Sequence, residues 1–154
     1  MRRCLRAVTL TTRRARDDER EAVATIHRAS ATAAYEGIFR PGGAFPWTQT
    51  VERWRDFAGE IFVAEVPDAD GPIGFVAFDS HELHALYLLP DYWNRGIGRH
   101  LLEAAVGVSE LWVLRDNFRA RRFYEGHGWR TDGIQRQADG VIELRYGAPS
   151  TSQN

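Results

Sequence analysis

The sequence predicts a mixed α/β domain, one sheet layer with helices on both faces. Three observations carry that expectation. The first third of the chain shows apolar residues at helical spacing. From Ile61 the pattern changes to short apolar runs bounded by turn residues, as in "IFVAEV", "PDADG" and "PIGFVAFDS". Two later helical stretches each follow a strand, "ELHALYLLP" and "ELWVL". The order helix–helix–β–β–β–α–β–α–β–β has neither repeats nor a linker.

Each element has its own justification. "TLTTRRAR", Thr9 to Arg16, alternates weakly and reads as an edge strand. Asp17 or Asp18 offers an N-cap, and Ala22, Val23, Ile26 and His27 then recur at helical spacing to about Ala31. "ATAAYEGIF" reads as a second short helix ended by "RPGGAFP", and "TQTVERWRDFA" as a further helical stretch. "ELHALYLLP" is apolar on both faces, which predicts a central strand covered from both sides. Ile97, Leu101, Ala105 and Val108 form the apolar stripe of the helix that follows. "NFRARRFYEGHG" is a helix closed by Gly126 and Gly128, and "GWRTDGIQRQ" and "GVIELRYG" form a last strand pair around "ADG".

Composition narrows the function. A chain of 154 residues is most simply one domain, long enough to bury roughly 70% of its unfolded surface. Apolar residues at 44% and charged residues at 27% make it globular and soluble. A net charge of −1 gives no electrostatic reason for a nucleic-acid partner. Every basic residue but histidine is arginine, so lysine nucleophiles and Schiff bases are excluded. Cys4 stands alone, which excludes an intrachain disulfide. No apolar run approaches a membrane span, and the N-terminus lacks a signal-peptide core, so a cytoplasmic location is expected. His27, His81, His84, His100 and His127 show no metal-ligand spacing, and no metal is expected.

The chemically informative stretch is "LPDYWNRGIGRHLLEA", Leu89 to Ala104. A strand ends at Pro90, and Asn94, Arg95, Gly96 and Gly98 open a helix. Glycines there leave backbone N–H groups bare at the positive end of the helix dipole, a site for a phosphate or pyrophosphate. Arg95 can add a charge-assisted bond. A P-loop would need Lys and Ser/Thr after its glycines, where Arg99 and His100 stand. A Rossmann fingerprint would need a third glycine, where Leu101 stands. Further on, Asn117, Ala120 and Tyr124 share one helix face at i, i+3 and i+7.

"LYLLPDYWNRGIGRHLL" followed about twenty residues later by "NFRARRFYEGHGW" resembles the GNAT superfamily of acetyl-CoA-dependent N-acetyltransferases. The resemblance covers roughly Ile61 to Tyr146. It implies a mostly antiparallel sheet whose two central parallel strands, "ELHALYLL" and "ELWVL", splay to admit acetyl-CoA as co-substrate. It implies a domain over residues 11–147, with 1–10 an N-terminal extension and 148–154 a flexible tail. Trp93, Asn94, Arg95, Gly96, Ile97, Gly98 and Arg99 would form the pyrophosphate loop, although the family usually has Gln or Arg where Trp93 stands. A bulge near Tyr87 and Leu88 would free a backbone N–H for the thioester carbonyl. Asn117 and Ala120 would lie along the pantetheine, with Arg95, Arg99, Arg121 and Arg122 as candidates for the adenosine phosphate. Asn117 reads equally as an N-cap, and each arginine as a solvated helix charge.

The implied reaction is direct attack by a primary amine of a small molecule or peptide. Such an amine, with a pKa near 10.4, must first lose a proton, at about 4–5 kcal/mol at pH 7. Glu82 matches the family's glutamate base; His84, two residues on along the same strand face, is the other candidate, and a water chain the third reading. Tyr124 matches the tyrosine that protonates the departing thiolate, or else packs on the sheet beside Phe123. The acceptor cleft would take Tyr35, Phe39 and Trp47, which could equally be core together with Phe45 and Trp54. Homodimers are common in the family, and a homodimer is the expected assembly. The competing reading is a non-catalytic acyl-CoA-binding sensor module.

Overall fold

The computed structural model describes residues 9–34, 45–138 and 140–150. Seven strands form one sheet: β1 (Thr11–Arg14), β2 (Glu60–Glu65), β3 (Gly74–Phe78), β4 (Glu82–Leu88), β5 (Glu110–Leu114), β6 (Arg130–Ala138) and β7 (Val141–Gly147). Their spatial order is β1-β2-β3-β4-β5-β7-β6. Every neighbouring pair is antiparallel except β4 and β5. That pair is parallel because a helical crossover joins it, α3 (Ile97–Ala104). The remaining helices are α1 (Arg20–Ala34), α2 (Trp47–Arg55) and α4 (Phe118–Gly126).

The two-residue alternation of the strands divides the core. Ile61, Val63, Phe75 and Ala77 face α1 and α2, where they pack with Val23, Ala24, Ile26 and Trp54. Ala64, Val76 and Phe78 face the other way, with Ile97, Leu101 and Ala105 of the α3 stripe and Tyr124 of α4. Each such side chain stabilises the fold by roughly 1.5–3 kcal/mol when fully buried. Trp54 lies fully buried between α2 and the sheet, and its Nε1–H donates to Nδ1 of His27 at 2.9 Å. The His27 ring also stacks on Tyr87 at 4.4 Å. Burial, with a smaller contribution from the nearby Arg53 charge, pushes the His27 pKa down from 6.5 to about 4.

Four expectations need correction. The break expected near Ala31 does not occur: α1 runs unbroken to Ala34. The start of the first helix is not capped by Asp17 or Asp18. A short 3₁₀ turn, Asp17–Glu19, precedes α1, and Glu19 accepts the Arg16 N–H at 2.8 Å. Buried Glu19 also ion-pairs with Arg13 at 2.7 Å, which holds its pKa near 2. Nor is β4 covered on both faces, since Glu82, His84, Leu86 and Tyr87 are only half-buried.

The fourth correction concerns the bulge. It lies not at Tyr87 and Leu88, which pair regularly with Phe75 and Gly74, but at His84. Ala77 pairs with Ala85 and Phe78 with Leu83, so His84 is the extra residue. The inserted residue changes the face of everything after it. Leu83 packs on the α3 side, whereas Ala85 packs on the α1–α2 side. The parallel pairing of β4 with β5 stops at the same place, after Glu82–Glu110 and Leu83–Leu111.

His27 is neutral in the fold, so its contribution to stability is complete above pH 6.5 and is lost as pH falls toward 4, where the unfolded chain binds a proton that the folded chain refuses. Thermal or urea melts at pH 7.5 and pH 4.5 are expected to differ through this residue by about 3 kcal/mol at most. His27→Gln, which keeps an acceptor for Trp54, is expected to flatten that part of the pH dependence.

Candidate active site

From His84 to Leu88, β4 has no partner in β5, and a cleft of about 1100 Å³ opens between them. One wall is the β4 edge, the other Trp112, Val113 and Leu114 of β5. The N-terminal turn of α3 and the inner face of α4 close one end, and Ser30, Ala34, Arg53, Arg136 and Glu143 border the other parts. Leu89 donates its N–H to the carbonyl of Ile73, the residue just before β3, at 2.8 Å. Backbone directions alternate along a strand, so the Leu88 N–H points the opposite way, into the gap. The Leu88 carbonyl on that same side accepts from Trp93 Nε1 at 2.8 Å.

The bend between β4 and α3 is built by backbone conformation. Asn94 has φ +62° and Gly96 φ +79°. Gly96 is the N-cap of α3 and makes no side-chain cap bond, and a Cβ placed there would meet no atom within 4 Å. With no side-chain cap, the first amides of α3 and the positive end of its dipole are available to an anionic group. Gly98 is small for another reason. Its Cβ would lie 3.1 Å from the ring of Phe123, so the second glycine lets α3 and α4 approach each other.

Cations collect near the bend, and carboxylates gather around His84. Arg99 and Arg122 line the cleft near the bend, with Arg119, whose guanidinium lies 3.8 Å from the centre of the Trp93 ring. Burial lowers the Arg119 pKa. Farther along β4, Glu82 Oε2 lies 2.8 Å from His84 Nδ1, and Asp79 Oδ2 lies 2.7 Å from His84 Nε2. Asp79 is itself fixed, its Oδ1 accepting the N–H groups of His81 and Glu82 at 2.8 and 2.7 Å. The bond to His84, with these backbone donors, holds the Asp79 pKa near 2. The edge of the His84 ring packs on Phe57.

The structure brings most of the expected residues together. Glu82, His84 and Tyr124 line the cleft, as do Tyr87, Leu88, Trp93, Asn94, Gly96, Ile97, Gly98, Arg99, Asn117, Ala120 and Arg122. The buried Asn117 also caps α4, its Oδ1 accepting the Ala120 N–H at 3.1 Å, so only its amide N–H groups remain to offer a ligand. Buried Tyr124 packs edge-on against Phe123 and Trp129. Two arginines are used elsewhere: Arg95 sits over Tyr92, and Arg121 donates to the Tyr146 hydroxyl at 3.0 Å. Trp47 does not reach the cleft lining but lies half-buried against the α1–α2 core, with Arg28 4.2 Å above its ring. Phe45 and Trp54 pack on His27. Tyr35 and Phe39 lie outside the described residues.

Asp79, which reaches His84 from outside the cleft lining, was not singled out from the sequence, nor were the cleft side chains Arg119, Trp112, Arg136 and Glu143. The last three form one stack, Arg136 lying 4.1 Å over Trp112 and donating to Glu143 at 2.6 Å. Only Asp79 carried a local signal, as an aspartate two and three residues before the amides it caps in "DSHE".

Known proteins share this architecture. A family model described as an acetyltransferase (GNAT) domain matches residues 58–131. The peptidyl-lysine N-acetyltransferase YjaB of Salmonella typhimurium is 31% identical over 79% of this chain and 83% of its own. An uncharacterised N-acetyltransferase of Archaeoglobus fulgidus is 39% identical over 46% of this chain, a match that spans only 59% of that protein. Among solved structures, apo YjaB of Escherichia coli superposes with a TM-score of 0.71 at 25% identity, covering 90% of this chain and 97% of that one. The PaiA N-acetyltransferase of Thermoplasma acidophilum, solved with coenzyme A, superposes at 0.67 and 21% identity over 89% and 98%.

Trp93 ties the bend to the end of β4 through one bond. Trp93→Phe is expected to cost about 1 kcal/mol by removing it, read as a lower denaturant midpoint at unchanged slope.

Proposed function

The chain belongs to the GNAT family of acetyltransferases, and from that premise we propose that it passes the acetyl group of acetyl-CoA directly to a primary amine of a small molecule or peptide, with both substrates bound at once. The observation that carries the proposal is the parting of β4 from β5 beside an uncapped helix N-terminus. A thioester carrier needs a slot for its arm and an anion site for its diphosphate, and the cleft supplies both. The open space over Gly96 supports the fit, since nothing of the protein fills it.

The residues divide the work. The first α3 amides would hold the diphosphate, while Arg99, Arg122 and Arg119 supply positive charge nearby. Asn117 and Ala120 would line the arm. The Leu88 N–H, aimed into the gap, would donate to the thioester carbonyl oxygen as negative charge grows on it. Glu82 with His84 would take the proton of the incoming ammonium. Tyr124 would return a proton to the leaving thiolate, whose pKa is roughly the 8.5 of a cysteine. The peptidyl-lysine substrate named for the Salmonella relative supports a lysine side chain as one acceptor to test first.

The deciding assay mixes acetyl-CoA with a panel of amines and lysine peptides and reads free thiol. Thiol released in proportion to one of the amines is the expected result. Tight acetyl-CoA binding with no amine-dependent release would overturn the enzyme reading in favour of a sensor module. Gly96→Val, a branched residue at φ +79° over the anion site, is expected to weaken acetyl-CoA binding by at least about tenfold in calorimetry. Tyr124→Phe is expected to lower turnover roughly 100-fold while the Kd for acetyl-CoA stays unchanged.

A further inference from the structure

We propose that Asp79 is a positioning residue, whose carboxylate fixes His84 so that the proton taken from the ammonium comes to rest between His84 Nδ1 and Glu82 Oε2. This rests on the acetyl-transfer reading above and adds to it a residue outside the strand that carries the candidate bases. The argument begins with Asp79 itself. Its two oxygens are fully engaged: Oδ1 with the amides of His81 and Glu82, Oδ2 with His84 Nε2 at 2.7 Å. With its pKa held near 2, Asp79 is an ionised, acceptor-only group at neutral pH. The hydrogen of that bond therefore sits on His84 Nε2, which fixes the tautomer.

The other nitrogen then faces Glu82 at 2.8 Å. In the deprotonated couple two acceptors face each other there, an Nδ1 lone pair and a carboxylate oxygen, and the one proton it can take up joins them. The cycle balances without any co-reactant. The substrate R–NH₃⁺ gives one proton to the Glu82–His84 couple and becomes R–NH₂. Its lone pair forms the C–N bond as the C–S bond breaks, Tyr124 gives its proton to the departing thiolate and is restored by the second proton the nitrogen sheds, and the stored proton later leaves to solvent. The bulge makes this arrangement, because His84 is the residue inserted between Leu83 and Ala85 and is turned toward the β3–β4 loop.

The groups around His84 are few. Asp79 faces it from that loop, Glu82 from its own strand, and the uncharged Phe57 ring from beyond α2. Glu110 of β5 pairs in register with Glu82 but is engaged by His81 at 3.1 Å and Arg145 at 3.9 Å. Arg53 of α2 borders the same cleft.

The test is ¹⁵N-histidine NMR on the full chain, wild type against Asp79→Asn, together with the pH profile of kcat/KM. Asparagine keeps an oxygen for the two loop amides and removes the charge. The expected results are an Nε2–H tautomer in the wild type and a His84 titration midpoint that is lower in the variant, which has lost the neighbouring negative charge. The acid limb of kcat/KM should move by the same amount, with kcat/KM down roughly 10- to 100-fold and the acetyl-CoA Kd unchanged. Asp79→Glu should recover part of both. An unmoved midpoint, or lost activity without a moved limb, overturns the proposal, even if the wild type acetylates amines. Because the NMR needs no turnover, a moved midpoint in a chain that acetylates nothing would sustain the role of Asp79 in holding His84 and sink the acetyl-transfer reading alone.

Discussion

The structure depends on a constraint in its middle: β4 and β5 start as a parallel pair and cannot stay one. They share two register positions, and then the inserted His84 turns β4 away. A continuous ladder would have sealed the sheet and left no room between its strands. With the ladder cut short, backbone that would have paired with β5 faces a cleft, and the apolar residues beyond the bulge change sides to keep both cores filled. The same inserted residue carries a titratable ring to the β3–β4 loop. One extra residue thus opens the slot and aims a proton acceptor at one end of it.

Charge is unevenly placed in the cleft although the chain as a whole is nearly neutral. Arg99, Arg119, Arg122 and the positive end of α3 gather around the glycine bend, Glu82 lies farther along β4 with Asp79 behind His84, and Arg53, Arg136 and Glu143 border other parts of the lining. A polyanion and an ammonium group would each find a complementary end, which orients both along the slot. Trp93 shows how the bend manages without the polar side chain usual at that position. Its indole ties the bend to Leu88, and its face carries Arg119, a cation from α4 beside the same bend.

Much of the site was legible because it is local. Glycines that open a helix expose amides wherever the helix ends up, and Asn117, Ala120 and Tyr124 share a face through helical spacing alone. The same locality explains what stayed open or was misread. Asn117 read as a ligand contact and as a cap, and its oxygen caps. Gly98 read as clearance for a phosphate, and its space belongs to Phe123, twenty-five positions on. Trp47 read as a cleft aromatic or as core, and its side chain packs half-buried against the α1–α2 core.

By itself the sequence determined the strands and their order, the apolar stripe of α3 and the bend that offers bare amides, since these follow from periodicity and backbone freedom over a few residues. Tertiary structure alone decided where β4 leaves β5, which arginines reach the cleft, and that Asp79 meets His84. Those depend on pairing register between strands and on the approach of α4 to the bend. Register is a competition among long-range pairings, and no window of neighbouring residues contains both competitors.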